Sequence, residues 1–336
     1  MKVFKKLASP PTPAQIADWL RELRGNPYVV ASSFDVTAVF RAKIGDDDTY
    51  YFAGVNVENP HHRLSTHGEE GCISAIATAL GKRAEIVEGW LMGAPRMLSK
   101  GDAHPLADNC VSCCGKCRQQ IASLADTAVK IHSISLNGTH KETTVGEFLP
   151  DAFTFRQYAP ELISKEENTA KIFMPSAHEV EARLIRTNIK SENEIISWLQ
   201  ELESVDFASK TSQSVIIKLE NGTYVAGVKV EEAAFVSIDP VQAAMAIANA
   251  EFGKQKVLEV YTLGKGRDEA SIPLAAYTPL SGSAAQVLAQ FAAFPDIPIH
   301  LINGRNERRT IKLSDAARYI STFDQPFYCI EVERET

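Results

Sequence analysis

Two kinds of apolar pattern alternate along the chain. Residues 51–59 (YFAGVNVEN) alternate apolar and polar side chains and follow the turn-forming run DDDT, which is typical of a half-buried strand. Residues 73–82 (ISAIATALGK) then form an Ala- and Ile-rich stretch that predicts a buried helix. Extended along the chain, these patterns predict an α/β fold with the order helix, two or three strands, helix, strand, helix, strand.

The same series of patterns occurs a second time. Residues 224–232 (YVAGVKVEE) match the first strand and follow the turn ENGT, and residues 244–254 (AMAIANAEFGK) match the helical stretch. Two further segments match in the same order: WLREL with WLQEL, and CGKCRQQIASLA at 114–125 with SGSAAQVLAQFA at 281–292. Four matches in order predict duplication of one α/β domain. We expect a first domain over 1–155, a linker over 156–190 and a second domain over 191–336, each a mixed β-sheet flanked by helices in three layers (α/β/α).

Composition narrows the class of protein. The 336 residues are 45% hydrophobic, which is enough for a core in each domain. The formal net charge of −7 disfavours a surface shaped to neutralise nucleic-acid phosphates, without excluding a local basic groove. No apolar run approaches the length of a membrane span and no signal-like segment is present, so we expect a cytoplasmic protein with no membrane partner.

Candidate chemistry is concentrated in the first copy. His67 and Glu69 precede one predicted helix, and Cys114 and Cys117 stand at the start of another. One imidazole and two thiolates leave a fourth tetrahedral position for water, which is how catalytic Zn²⁺ is held. Glu69 is then placed to act as general acid and base, as in the H-x-E and C-x-x-C signature of zinc deaminases. The predicted metal ligands are His67, Cys114 and Cys117.

Two observations bear on the choice of cysteines. Cys110 and Cys113 also form a C-x-x-C, but a helix directly follows Cys114 and Cys117, and their register matches the second copy without gaps. The second copy has Ser281 and Ala284 at the cysteine positions, and approximately Pro240-Val241-Gln242 opposite His67-Gly68-Glu69. The second copy is therefore predicted to lack the metal site and to be catalytically silent.

Five segments together resemble the cytidine deaminase family. They are FDVTA at 34–38, GVNVEN at 54–59, H-x-E at 67–69, CGKCRQ at 114–119 and TVGEFLPDAF at 144–153. The layout, with an active copy followed by a broken one, is similar to that of the larger bacterial dimeric enzymes. The resemblance implies two tandem cytidine-deaminase-like domains and a hydrolase acting on the C–N bond of a cyclic amidine. It further implies that Asn56 and Glu58 bind the ribose, that Phe34 packs on the pyrimidine, and that the protein is a homodimer.

The expected reaction is zinc-dependent hydrolytic deamination of a free pyrimidine nucleoside, cytidine or deoxycytidine, to the uridine form plus ammonia. Three departures from the family pattern leave the substrate open. Cys113 stands where proline is usual, Thr37 replaces a glycine, and residues 90–109 form a long insertion that could line the pocket. The alternatives are a deaminase of another nucleobase or of a base in RNA or DNA, and a non-catalytic zinc- or nucleoside-binding module.

Overall fold

The computed structural model describes residues 1–159, 174–202, 204–206, 209, 211–234, 237–266 and 273–316. The first domain contains six strands: β1 (Phe4–Lys6), β2 (Phe34–Ile44), β3 (Asp47–Val55), β4 (Glu85–Pro95), β5 (Ala125–Ile134) and β6 (His140–Thr144). Its helices are α1 (Pro13–Leu23), α2 (Gly68–Leu80), α3 (Gly115–Leu124), α4 (Val145–Phe148) and α5 (Phe155–Tyr158).

The six strands form one mixed sheet in the order β1-β3-β2-β4-β5-β6. Only β4 and β5 are parallel, and α3 makes the crossover between them. The other neighbouring pairs are antiparallel. A parallel pair requires a long connection, so the position of α3 over the sheet follows from this one pairing.

The second domain repeats this topology. Its strands are β7 (Ile185–Arg186), β8 (Thr211–Leu219), β9 (Tyr224–Val228), β10 (Val257–Gly266), β11 (Pro298–Ile302) and β12 (Arg308–Lys312). Its helices are α6 (Ala177–Leu184), α7 (Glu192–Glu201), α8 (Pro240–Phe252), α9 (Gly282–Phe291) and α10 (Leu313–Ala316). The sheet order, β12-β11-β10-β8-β9-β7, is the first sheet's order read backwards, with β10 and β11 as its parallel pair. The predicted fold class of two tandem α/β domains is therefore confirmed.

Helices cover both faces of each sheet. On one face the Thr37 hydroxyl of β2 donates to the Leu20 carbonyl oxygen of α1 at 3.0 Å, and Ser214 of β8 makes the same bond to Leu199 of α7 at 3.1 Å. On the other face lie α2 and α8, and α3 contacts α2 there. The result is the predicted three-layer arrangement in both domains.

The sheet face that carries α1 also has a polar cluster whose chemistry is the same in both copies. The equivalent positions are Arg41 and Lys218, Glu88 and Glu259, Trp90 and Tyr261, and His132 and His300. In the first copy Arg41 pairs with Glu88 at 3.1 Å while Trp90 stacks on His132. In the second copy the cation–carboxylate distance is 2.9 Å and the stacked pair is Tyr261 with His300. Cross-strand pairs of this kind stabilise a sheet, so their chemistry belongs to the fold.

The two domains share one hydrophobic core. The central helices α2 and α8 pack against each other, and nearly all of their side chains are buried. Two buried hydrogen bonds cross the boundary: Asn26 donates to the Ala250 carbonyl oxygen at 2.7 Å, and Gln290 donates to the Tyr28 hydroxyl at 2.7 Å. Within the described part of the chain, no helix is both long and apolar enough to cross a bilayer.

Three expectations differ from the structure. The predicted element order lacked β1 and β7, which precede the first long helix of each copy and are too short to show a period. It also lacked β6 and β12, the last strand of each copy, whose residues are mostly exposed and give no apolar alternation. Part of the expected linker, 156–190, forms α6 and β7, and β7 pairs with β9 of the second sheet. The expected insertion at 90–109 begins inside β4, which ends at Pro95. The exact domain bounds stay a prediction.

Close backbone packing at one glycine in each domain yields a matched test. A Cβ atom on Gly54 would collide with backbone atoms of Gly68 and Cys72 in α2, and one on Gly227 would collide with Pro240 and Ala244 in α8. We expect Gly54→Ala and Gly227→Ala each to destabilise the protein by about 1–3 kcal/mol, since the helix must move outward. Thermal unfolding measures this loss. Gly54→Ala displaces the helix end next to His67 directly, so this variant should lose more metal affinity than Gly227→Ala, and equal losses in both variants would contradict the assignment.

Candidate metal centre and active site

His67 is fixed at the N-terminal end of α2. It is the N-cap residue, with extended backbone angles, and the preceding Thr66 pairs with Val57 through two backbone hydrogen bonds of 2.8 and 2.9 Å. The backbone N–H of His67 donates to the Glu70 carboxylate at 3.0 Å. Because both the entry to the helix and its first turn are bonded, the imidazole is presented from a defined position.

Cys114 and Cys117 occupy the start of α3. Cys114 is the N-cap and is exposed, and Cys117, in the first turn, is fully buried. The helix start is fixed in turn by Arg118, which donates to the carbonyl oxygens of Cys113 at 2.8 Å and Phe148 at 3.2 Å. Unpaired amides and the helix dipole at such a position favour a thiolate.

The structure brings these three side chains together. His67 Nδ1 lies 3.3 Å from the sulfur of Cys114 and 3.3 Å from that of Cys117, and the two sulfurs are 3.6 Å apart. Tetrahedral zinc with ordinary bond lengths would space its ligands about 3.8 Å from sulfur to sulfur and about 3.5 Å from sulfur to nitrogen. The observed triangle matches this geometry closely, and two sulfurs with one nitrogen form a donor set suited to zinc. Cys110 and Cys113 are not part of this group, which is the one such cluster among the described residues.

The three side chains share protons in a defined way. Hydrogen bonds from the Cys117 thiol and from the His67 ring lower the pKa of Cys114 to about 3. The bond to Cys114, together with burial, raises the pKa of Cys117. The hydrogen bond with Cys114 also raises the pKa of His67. Of the two cysteines, Cys114 is therefore the one favoured as a thiolate, with Cys117 and His67 as its donors.

Glu69 lies in the first turn of α2, two residues beyond His67, and is only 3% exposed. Burial raises the pKa of its carboxyl group, and the thiol of Cys113 is hydrogen-bonded to it. Cys113 is itself buried, and burial raises its pKa, so it acts as the neutral donor of this bond. The sequence analysis gave Cys113 no role at Glu69, because nothing in the sequence indicates which side chain lies beside that carboxyl group.

Asn56 and Glu58, just after β3, lie next to the start of β2, where Phe34 is located. The Asn56 side chain accepts from the Val36 N–H at 2.8 Å and donates to the Phe34 carbonyl oxygen at 2.9 Å. Val36 in turn packs against Gly68, next to His67. The Glu58 carboxylate accepts from the backbone N–H groups of residues 31 and 32 at 2.7 and 3.2 Å, so both side chains are oriented by the backbone of residues 31–36.

In the second domain a direct hydrogen bond joins the two equivalent helix starts. Asp239 is the N-cap of α8, and its carboxylate accepts from the Ser281 hydroxyl, at the N-cap of α9, at 3.0 Å. Asp239 is thus the counterpart of His67, and the equivalent of His67-Gly68-Glu69 is Asp239-Pro240-Val241. The expected pairing with Pro240-Val241-Gln242 was wrong by one residue, because that stretch contains no identical residue to fix the alignment.

Comparison with known proteins points to one family. No protein-family model matches the chain. A cytidine deaminase of Sporosarcina psychrophila is 28% identical over 134 residues, which is 40% of this chain and 85% of that protein. A cytidine deaminase of Halalkalibacterium halodurans is 29% identical over 133 residues, 40% of this chain and 87% of that protein. Part of the chain is therefore similar to known cytidine deaminases.

The similarity to these cytidine deaminases spans about one domain of this chain, in keeping with the duplication. Among solved structures, a cytidine deaminase from Burkholderia pseudomallei is similar with a TM-score of 0.34 and 24% identity, covering 43% of this chain and all of the other. A cytidine deaminase from Mycobacterium leprae is similar with a TM-score of 0.32 and 22% identity, covering 42% of this chain and all of the other.

The proton sharing in the metal-free centre predicts a distinct reactivity. Because the pKa of Cys114 is about 3, its thiolate fraction is already complete at mildly acidic pH. We expect its alkylation by iodoacetamide in the metal-free protein to be independent of pH between about pH 5 and 8. Alkylation of Cys110, whose pKa is raised by burial, should rise about tenfold per pH unit. Peptide mass spectrometry separates the two sites.

The Cys117→Ala variant is the control for this experiment. It removes the principal donor to Cys114, so alkylation of Cys114 should become pH-dependent at the acidic end of the range. A rate at Cys114 that climbs with pH as steeply as that of Cys110 in the unsubstituted protein would refute the shared-proton arrangement.

Proposed function

We propose that the first domain is a zinc-dependent hydrolase that deaminates a free pyrimidine nucleoside, cytidine or deoxycytidine, to the uridine form plus ammonia. The observation that carries the proposal is the triangle of His67, Cys114 and Cys117 ligand atoms with a buried carboxyl group two residues away. The kinship with cytidine deaminases supports the same reaction class, which is hydrolysis of the C–N bond of a cyclic amidine.

The residues of the chain divide the chemistry between them. His67, Cys114 and Cys117 would hold the zinc, which when bound polarises a water for attack on the ring carbon that carries the amine. Glu69 would take one proton from that water and pass it to the ring nitrogen. It would then move the proton of the added hydroxyl group to the amino group, which leaves as ammonia while the carbonyl of the product forms. Burial raises the pKa of its carboxyl group, which makes the protonated form accessible nearer neutrality and suits a group that must both accept and donate.

Substrate contacts are proposed for the edge formed by residues 31–36 and 56–58. One amide hydrogen of Asn56 donates to Phe34, which leaves its second amide hydrogen for a ribose hydroxyl. Glu58 is held by two backbone donors and retains lone pairs that can accept from the same hydroxyl. Phe34, half-buried at the start of β2, is proposed to pack on the base. In the second domain Lys229 replaces Asn56 and pairs with Glu231 at 2.9 Å, so the equivalent position is filled.

We further propose that the second domain is catalytically silent and supports the first. Its Gln242 donates to the Leu64 carbonyl oxygen at 2.9 Å, in the loop that leads to His67. The equivalents of Cys117 and Glu69 are Ala284 and Val241, neither of which can bind metal or move a proton. A homodimer and a cytoplasmic location stay predictions.

The proposal predicts one zinc per chain and release of ammonia from cytidine or deoxycytidine. Glu69→Gln should keep the zinc and lower kcat by about 10²- to 10⁴-fold, because the proton shuttle is lost. Glu179→Gln is the matched control, since Glu179 is exposed on α6, where it accepts from the N-cap Ser176, and should not change kcat. Zinc content and ammonia release measure both effects.

A wider substrate panel separates the alternatives. Turnover of oligonucleotides or of another base, but not of cytidine, would favour the second deaminase hypothesis. Zinc without turnover of any compound would favour a non-catalytic binding module. Turnover that survives Glu69→Gln would remove the proposed shuttle.

A further inference from the structure

Glu70, the residue after the proposed proton shuttle, binds three separate groups. One carboxylate oxygen accepts the His67 backbone N–H at 3.0 Å. The other accepts the Gln120 side-chain amide at 3.0 Å and lies 2.8 Å from the Lys116 ammonium. Glu70 is on α2, whereas Lys116 and Gln120 are on α3. The Glu70 side chain therefore joins the first turn of α2 to the N-terminal half of α3, the two helices that carry the proposed metal ligands.

The charge balance of this contact is unusual for an ordinary helix cap. The side chain of Glu70 is 3% exposed, and a buried carboxylate is strongly unfavourable unless it is paired and hydrogen-bonded. Its counter-ion, Lys116, lies between the two cysteines in sequence and is partly exposed, with 28% of its side chain accessible. The ion pair thus fixes an ammonium group on the helix turn that presents both sulfurs.

The second domain separates the role of the cap from the role of the charge. Gln242 occupies the position of Glu70 and accepts the Asp239 backbone N–H at 3.2 Å, so an uncharged side chain is sufficient to cap this helix. The equivalents of Lys116 and Gln120 are Ser283 and Val287, which cannot form the pair. The charge, its counter-ion and the amide donor occur only in the copy that has the cysteines.

We propose that Glu70, Lys116 and Gln120 form a positioning clamp that holds the end of α2 against the end of α3 and thereby keeps His67 at bonding distance from Cys114 and Cys117. The clamp acts through the metal ligands and touches neither substrate nor metal. It rests on the proposed function in one respect, namely that the cluster binds zinc. Outer partners of this kind orient metal ligands, and their loss lowers metal affinity.

Two substitutions test the clamp. Glu70→Gln keeps an oxygen for the His67 N–H, as Gln242 does for Asp239, but its amide cannot accept from both Lys116 and Gln120. Lys116→Met removes the counter-ion and keeps the apolar stem. We expect each to raise the dissociation constant for zinc by about 10- to 100-fold, measured by competition with a chromophoric chelator. The double variant should lose less than the product of the two single effects, because the pair is removed together.

Further readouts distinguish a clamp from a general loss of stability. Thermal unfolding of metal-free Glu70→Gln should match that of metal-free Glu179→Gln, which removes a helix-capping carboxylate outside the cluster, because neither change leaves a buried charge unpaired. Lys116→Met leaves the buried Glu70 carboxylate without its counter-ion and should unfold at a lower temperature. Lys116→Arg keeps the cation and should retain wild-type affinity. In the cobalt-loaded protein, the thiolate-to-metal and ligand-field absorption should change in Glu70→Gln and not in Glu179→Gln.

Wild-type zinc affinity in both single variants, or strictly multiplicative losses in the double variant, would overturn the clamp while leaving the proposed function intact. If Glu70→Gln loses as much thermal stability without zinc as it does with zinc, Glu70 acts only in the fold, and the clamp is also overturned. Should Glu70→Gln fail to fold, the Lys116→Met and Lys116→Arg pair decides alone. Failure of the wild-type protein to bind zinc would instead refute the proposed function.

Discussion

The site depends on two helix N-termini meeting at one point. The start of α2 contributes His67 and Glu69, and the start of α3 contributes Cys114 and Cys117. Helix starts have free amides and a positive dipole end, so they favour anionic thiolates. Their meeting is possible because Gly54 lets α2 lie directly on the sheet, and because the parallel pairing of β4 with β5 requires α3 to cross on the same face.

The second domain shows that this fold does not need the metal ligands. There the same two helix starts are joined by a hydrogen bond from Ser281 to Asp239, and the strand order and close glycine contact are unchanged. The paired cation, carboxylate, aromatic and histidine positions on the sheet face keep their chemistry in both copies. The His67, Cys114 and Cys117 positions do not. Within one chain, duplication thus separates residues that form the fold from residues that form the site.

Packing between the domains also bears on the site. The central helices share a core, and Gln242 of the second domain reaches the loop before His67. A copy without its own metal site can therefore still hold the geometry of its neighbour. Absence of the proposed site residues and retention of the fold are compatible because the two depend on different side chains.

Much of this could be predicted from sequence for identifiable reasons. Alternating and helical periodicity located the long strands and helices, the repeat located two domains, and the H-x-E and C-x-x-C spacings located the helix starts at His67 and Cys114. The three-residue strand β1 and the two-residue strand β7 were not predicted, because they are defined by their partners in the sheet and not by their own pattern. The alignment of Asp239 with His67 was not predicted for a related reason. The packing of α8 on Gly227 fixes this alignment, and no identical residue in the sequence does.

By itself, the sequence determined which side chains are present and which local elements carry them, because helix and strand periodicities and caps are local properties. Only the tertiary structure decided which side chains meet across elements. The contact of Glu70 with Lys116 and Gln120, the bond between Cys113 and Glu69, and the engagement of Asn56 with the backbone of β2 join residues that are distant in sequence or indistinguishable by type. Such contacts depend on how helices pack over a sheet, and no local pattern in the chain encodes the distance between two side chains on different elements.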